Sequence, residues 1–383
     1  MSYFHLNLIL KGKLTVCCLL MLSAIPLNAQ REAKQIGDFK ESISLNEHLR
    51  GTKRTLQYRP DGDEFVCVNG KNRYTRALYG SHSPFRVETS DQPVFAFYNN
   101  GRGGNISFKV ILRDGTELAL DCTGHCESRY SAGKRTYYLT DPSWGKGELR
   151  ISVLALADMD GAIWRFSPSN MPKGAILRWQ HGGATGKRLS RNGDMGVDPA
   201  DCFELPAEAT DLVTGELALQ KEVYLVRGEV PEGYNVRKLY QQAEAASLAL
   251  ASHLKIETPD PYLNTLGGEL VAAADGIWDG QVWLHGAIGW RMPLSGWRAG
   301  YTGDALGWHD RARTHFDAYA ASQVTDVPNT IPHPAQDSTM NLARSEKRWG
   351  TPQYSNGYIC RNPRRNNQMH HYDMNLCYMD ELL

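Results

Sequence analysis

The chain has 383 residues, with 42 Lys plus Arg against 42 Asp plus Glu and a formal net charge of zero. Such a length holds roughly two or three domains of ~150 residues, and the absence of a basic excess argues against a general nucleic-acid binder. Hydrophobic residues make up 42% and charged residues 22%, which excludes a disordered chain. The 9 Trp and 18 Tyr suit uncharged polar rings better than phosphates.

Lys11 and Lys13 precede an apolar run from Leu14 to Ile25, followed by Pro26-Leu27-Asn28-Ala29-Gln30. A basic start, an apolar stretch and a small residue before the junction predict a signal peptide over 1–29 and an exported protein, periplasmic or at the cell surface. The run is shorter than the ~20 residues a membrane-spanning helix needs, so no membrane span is expected. Cleavage removes Cys17 and Cys18 and leaves Cys67, Cys122, Cys126, Cys202, Cys360 and Cys377. Cys122-Thr-Gly-His-Cys126 has a metal-like spacing but no matching ligands nearby. A local disulfide or two small buried residues is the preferred reading, and no metal or other cofactor is expected.

From about residue 50 to 230 the apolar period is two. Glu64 to Val68, Val94 to Tyr98 and Ile106 to Leu112 are rich in β-branched and aromatic residues, which predicts strands. Ile106–Leu112 and Thr116–Leu120 flank Asp114-Gly115, and Leu149–Ala157 and Ala162–Phe166 flank Asp160-Gly161. Both dipeptides favour tight hairpin turns. Thr136 to Leu139, Ala175 to Trp179 and Leu217 to Val226 complete the set, and residues 30–234 are expected to form a β-sandwich.

Past residue 235 the period becomes helical. Val236, Leu239, Tyr240, Ala243, Leu250 and Leu254 trace one face. Asp260 and Pro261 start a second helix as N-cap and first residue, with Leu263, Leu266, Leu270, Ala274 and Ile277 on its expected inner stripe. A third begins after Asp310 with Phe316 and Tyr319 inward. Met369, Tyr372, Leu376, Met379 and Leu383 again have helical spacing, and the chain stops inside that pattern without a cap. This reads as part of a longer protein.

The segment Trp278 to Arg311 is the densest in chemistry. Trp278, Trp283, Trp290, Trp297 and Trp308 alternate with Gly, Arg, His and Asp; indoles stack on the apolar faces of sugar rings while the charged groups bond hydroxyls. Two or three of these tryptophans are expected to be core. Trp290, Trp297, Arg298, Tyr301, Trp308, His309 and Arg311 are the candidate substrate contacts, joined by His370 and Asp373 from the polar stretch at 354–373. His370 and Asp373 have helical spacing, yet one pair makes no metal site. Gly101-Arg-Gly-Gly104 lacks the ending of a phosphate loop.

Thr258-Pro-Asp-Pro-Tyr-Leu263 and Gly300-Tyr-Thr-Gly-Asp304 resemble segments of glycoside hydrolases of the six-hairpin, (α/α)6-barrel superfamily. The likeness is to large exported Bacteroidetes enzymes, distantly similar to α-L-rhamnosidases, whose Gly-Trp-Thr-Gly-Asp motif follows an acidic segment. Here Trp297 stands where that group has its Glu, with Arg298 at the following Arg. The resemblance implies an α+β multidomain chain: a β-sandwich, then over 235–383 a helical linker and the first helices of an incomplete (α/α)6 barrel. It implies a glycosidase, acting on an oligosaccharide or polysaccharide by an inverting acid/base mechanism when full length, with this part alone inactive. Inversion needs an acid and a base ~6.5–9.5 Å apart. Asp304 and Asp310 are the candidates, although Asp310 also reads as a helix N-cap and Asp304 as a turn-stabilising residue. The alternative is a non-catalytic carbohydrate-binding or scaffold protein. A lyase on acidic polysaccharide would want a basic cleft, of which the neutral total gives no sign.

Overall fold

A computed structural model describes residues 57–99, 102–188, 212–284, 286–288, 300–323, 325, 357, 359–360, 363 and 372–383. The expected signal peptide lies outside these residues.

Among the described residues fourteen strands form two seven-stranded antiparallel sheets. The first contains β1 (Arg59–Asp61), β2 (Glu64–Val68), β8 (His125–Ser131), β9 (Lys134–Thr140), β10 (Glu148–Ala155), β11 (Gly161–Ser169) and β14 (Val223–Gly228), in the order β1-β2-β8-β9-β10-β11-β14. The second contains β3 (Arg76–Leu78), β4 (Arg86–Thr89), β5 (Phe95–Asn99), β6 (Arg102–Ile111), β7 (Glu117–Ala119), β12 (Ile176–Arg188) and β13 (Leu212–Ala218). It runs β13-β12-β6-β5-β4-β3, with β7 paired to the distal part of β6.

The core lies between the sheets, as alternation demands. Leu149, Ile151 and Val153 of β10 and Trp164 and Phe166 of β11 meet Phe95, Phe97 and Phe108 of the opposite sheet. Phe95 stands edge-on to Tyr137 at 5.7 Å and to Trp164 at 5.6 Å; such pairs add about 0.5–1.5 kcal/mol each beyond their buried area. Toward its end β10 is apolar on both faces, because Leu154, with Leu156 just after the strand and Ile163 of β11, packs outward on Leu239, Tyr240 and Ala243 of a helix. A helix covering the outer sheet face turns an alternating strand into a continuous apolar run.

The hairpin at Asp114-Gly115 has the expected chemistry: Gly115 has φ +87° and Thr116 N donates to Asp114 Oδ1 at 2.9 Å. At Asp160-Gly161 the reason for glycine differs. A Cβ at Gly161 would lie 2.9 Å from Val230 Cγ2 and 3.1 Å from Arg227 O, so the residue permits close approach of the β14 end rather than a positive φ. The single strand expected over Leu217 to Val226 is two strands, β13 and β14, in opposite sheets.

Five helices occur among the described residues: α1 (Val236–Ala251), α2 (Pro261–Gly276), α3 (Tyr301–Ala305), α4 (His309–Ala320) and α5 (Tyr372–Leu382). Asn235 Oδ1 caps α1 through Lys238 N at 3.0 Å, and Asp260 Oδ1 caps α2 through Tyr262 N at 2.8 Å, with Pro261 first in the helix. The expectation that an incomplete (α/α)6 barrel follows the sandwich is corrected. The described chain is mostly β, its helices are few, and the barrel is not seen.

The packing of α2 supplies the physical reason. Its buried face consists of Thr265, Gly267, Val271, Ala272, Ala274 and Gly276, while Leu263 and Leu270 are 46% and 50% exposed. Small residues bring the helix backbone close to its neighbours: a Cβ on Gly267 would meet Leu254 O at 2.8 Å, and one on Gly276 would meet the Tyr79 ring at 2.5 Å. Leu263 and Leu270 of the expected inner stripe thus face outward, while its Ala274 is buried and its Leu266 and Ile277 are half-buried. In α5, Leu376 and Met379 are likewise exposed, as is Leu383 just after it, and Tyr378 is buried, its hydroxyl donating to Phe316 O at 3.0 Å.

Candidate functional site

The expected catalytic carboxylates sit at the surface. Asp304, in the short helix α3, pairs through Oδ1 with His309 Nδ1 at 2.7 Å, and the two side chains are 73% and 70% exposed. Asp310 is exposed in the first turn of α4, where its carbonyl accepts from Thr314 Oγ1 at 2.8 Å. It is not the N-cap; Trp308 holds that position without a side-chain bond. Tyr301 donates to Asp380 Oδ2 at 2.5 Å, and that carboxylate pushes its hydroxyl up to about 12.

The tryptophans divide. Trp278 and Trp283 are buried, 4.7 Å apart, and joined by an isolated antiparallel bridge. They form a small core with Ala312, and Trp283 N donates to the buried His315 Nδ1 at 3.1 Å. Burial pushes His315 down to about 4, so it stays neutral. Trp308 is half-buried, with the Arg311 guanidinium 4.4 Å from its ring and Trp283 stacked at 6.5 Å. Trp290, Trp297, Arg298 and His370 lie outside the described residues, as does the side chain of Asp373.

Arg311 leads to a constellation that sequence patterns do not mark. Its Nη1 donates to Asp275 Oδ1 at 2.7 Å, and His82 Nε2 lies 3.1 Å from the same oxygen. Asp275 ends α2, Arg311 comes from α4, and His82 from the loop after β3, so three distant segments converge. The Asp275 side chain is 15% exposed. Burial opposes its ionisation, but hydrogen bonds from His82 and Arg311 outweigh burial and hold the carboxyl below its usual range. These groups, with Tyr79, Arg76 and Tyr130, line a cavity of about 440 Å³ between the sandwich and α1, α2 and α4. The volume and the few convergent polar groups are those of a small-molecule site.

A second cavity, of about 690 Å³, lies beside the first, where β1, β8 and the α1–α2 connection meet. It is lined in part by Glu269 of α2, whose two carboxyl oxygens are sealed from solvent. Burial pushes this carboxyl up to about 8, against the opposing pull of the Tyr130 hydroxyl and the Arg76 and Arg135 guanidiniums.

Among the described residues no group of three His, Cys, Asp or Glu side chains is placed to hold a metal ion. Cys122 is exposed, Cys126 is buried, and neither forms a disulfide, which corrects the local-disulfide reading. No described helix is long and apolar enough to cross a membrane.

No curated protein matches the chain. Residues 100–230 match a family model described as a domain of unknown function, DUF4450, a span that runs from β6 to β14 and stops short of every helix α1–α5.

Proposed function

We propose that the chain is an exported, carbohydrate-active protein of glycoside-hydrolase type, with the cavity at Asp275 as its sugar site. The observation that carries this reading is the clamped carboxylate. Arg311 and His82 both engage Asp275 Oδ1, which leaves Oδ2 to accept from a ligand hydroxyl. An ionised acceptor, a guanidinium, an imidazole and the Tyr79 and Tyr130 rings around one cavity supply both the polar and the apolar contacts of a pyranose. Export rests on Lys11, Lys13, the apolar run Leu14 to Ile25 and Ala29.

In this reading Asp275 binds the sugar as an ionised group, and Asp304 of α3 and Asp310 in the first turn of α4, outside the cavity lining, bring the carboxyls of the acid/base step. A second reading, binding without catalysis, is favoured by the exposure of Asp304 and Asp310, since a glycosidase acid works where water is excluded. One experiment separates them. Asp275→Asn abolishes sugar binding under both; Asp304→Asn and Asp310→Asn abolish turnover but not binding under the first, and change neither measurably under the second.

A further inference from the structure

Arg76 of β3 lines the first cavity. Its guanidinium carbon lies 5.2 Å from the centre of the Tyr58 ring and 5.6 Å from that of Tyr130, so two aromatic rings fix its position. Nη1 donates to Thr75 O at 2.7 Å. Nε and Nη2 make no hydrogen bond and no ion pair, and neither is sealed from solvent. Arg129, also partly buried, is by contrast met by Asp61, Glu64 and Glu127.

The acids around the cavity leave that edge of Arg76 alone. Asp275 is engaged by Arg311 and His82. Asp158, also in the lining, is exposed and forms no ion pair with Arg76. Burial pushes the Glu269 carboxyl, which feels the Arg76 charge, up to about 8, so it is neutral at neutral pH and does not offset that charge. Ala155, Ala243, Ala246, Ala272 and Ala273 make up much of the remaining wall, and their side chains carry no donor or acceptor. A balanced total charge thus hides a local cation that nothing neutralises.

The Nε–Nη2 edge of a guanidinium presents two parallel N–H donors at the spacing of the two oxygens of a carboxylate. With Nη1 already bonded to the backbone, this is the edge left for a ligand. We propose that it binds the carboxylate of an acidic sugar, a uronic acid, while the ring hydroxyls reach Asp275. The assignment deepens the carbohydrate reading above and rests on it for the sugar ring, whereas the carboxylate contact stands on Arg76 alone.

The test titrates the full chain, wild type, Arg76→Met and Arg76→Lys, with glucuronate, glucuronamide and glucose at neutral pH. Wild type should bind glucuronate about tenfold more tightly than glucose, the worth of a charge-assisted hydrogen-bonded pair. Glucuronamide, which keeps the shape and loses the charge, should bind no better than glucose. Arg76→Met should bind all three alike. Arg76→Lys, which keeps a cation but not the two-pronged edge, should keep only part of the preference. A wild type without the preference, a glucuronamide that binds as tightly as glucuronate, or a preference that survives in Arg76→Met overturns the assignment. The glucuronamide comparison, made in wild type, decides the matter if Arg76→Met does not fold. Glucose binding that is lost in Asp275→Asn, with no glucuronate preference in wild type, keeps the sugar site and removes the carboxylate subsite. If neither sugar binds, acetate followed by NMR separates the two readings. Acetate that saturates wild type but not Arg76→Met keeps the carboxylate subsite and removes the carbohydrate reading; acetate that does not saturate wild type removes the subsite as well.

Discussion

Arg311 Nη1 lies 2.7 Å from Asp275 Oδ1, and this bond ties the start of α4 to the end of α2 at the wall of the cavity they share with the sandwich. His82, from the loop after β3, engages the same oxygen at 3.1 Å. The carboxylate is therefore a structural joint and the proposed ligand group at once.

Acid should weaken that joint. The Asp275 carboxyl is held below its usual range in the folded protein, so its contribution to stability is complete above the unfolded value of ~3.9 and is lost as pH falls through the folded value. Asp275→Asn should lower stability at neutral pH by about 1–3 kcal/mol and flatten the acid limb of a urea-denaturation profile. An unchanged acid limb would contradict the clamp.

Glu269 has the opposite sign. Its folded value of about 8 lies above the unfolded one, so its contribution is fully present below ~4.3 and disappears as pH rises to about 8. Wild type should lose stability over that interval by on the order of a few kcal/mol relative to Glu269→Gln, read as converging melting temperatures at low pH and separated ones above pH 8.

A buried ion pair fastens one end of the sandwich. Arg135 and Asp91 are fully buried and 3.6 Å apart. Arg135 Nη2 also donates to Tyr58 OH at 2.8 Å and Ser90 O at 3.1 Å, while Tyr58 donates to Asp91 Oδ1. Arg135→Met strands the Asp91 charge and should cost about 3–5 kcal/mol. Adding Asp91→Asn should recover part of that loss, a non-additivity that equilibrium unfolding measures.

The small-residue face of α2 gives a steric prediction. A Cβ on Gly276 would sit 2.5 Å from a Tyr79 ring carbon, and Tyr79 lines the first cavity. Gly276→Ala should destabilise by about 1–3 kcal/mol through overpacking and weaken ligand binding at that cavity. Leu263→Ala, on the exposed face of the same helix, should change stability by less than about 0.5 kcal/mol.

Much of the sandwich was legible because strands announce themselves locally. Glu64 to Val68 and the Asp114-Gly115 hairpin follow from alternation and turn chemistry alone. Helix faces were less legible. Counting leucines misplaces Leu263 and Leu270 of α2, since most of the buried face is built of Gly, Ala and Thr that allow close approach rather than of large apolar residues. Of the candidate site, Arg311 and Trp308 were visible in a Trp-rich segment, but Asp275 ends an alanine run and meets a histidine 193 residues upstream. Glu269 follows two glycines on a helix and reads locally as a solvated residue. Only the tertiary packing of Tyr130 and the surrounding aliphatic residues makes it a buried carboxyl.

The most direct measurement is a titration of the full chain with a panel of neutral mono- and oligosaccharides, followed by tryptophan fluorescence, since Trp308 lies against Arg311. The account predicts a saturable change in wild type that is retained in Asp304→Asn and lost in Asp275→Asn, with both variants folded by circular dichroism. A wild type that gives no saturable response to any sugar, or an Asp275→Asn variant that binds like wild type, would contradict it.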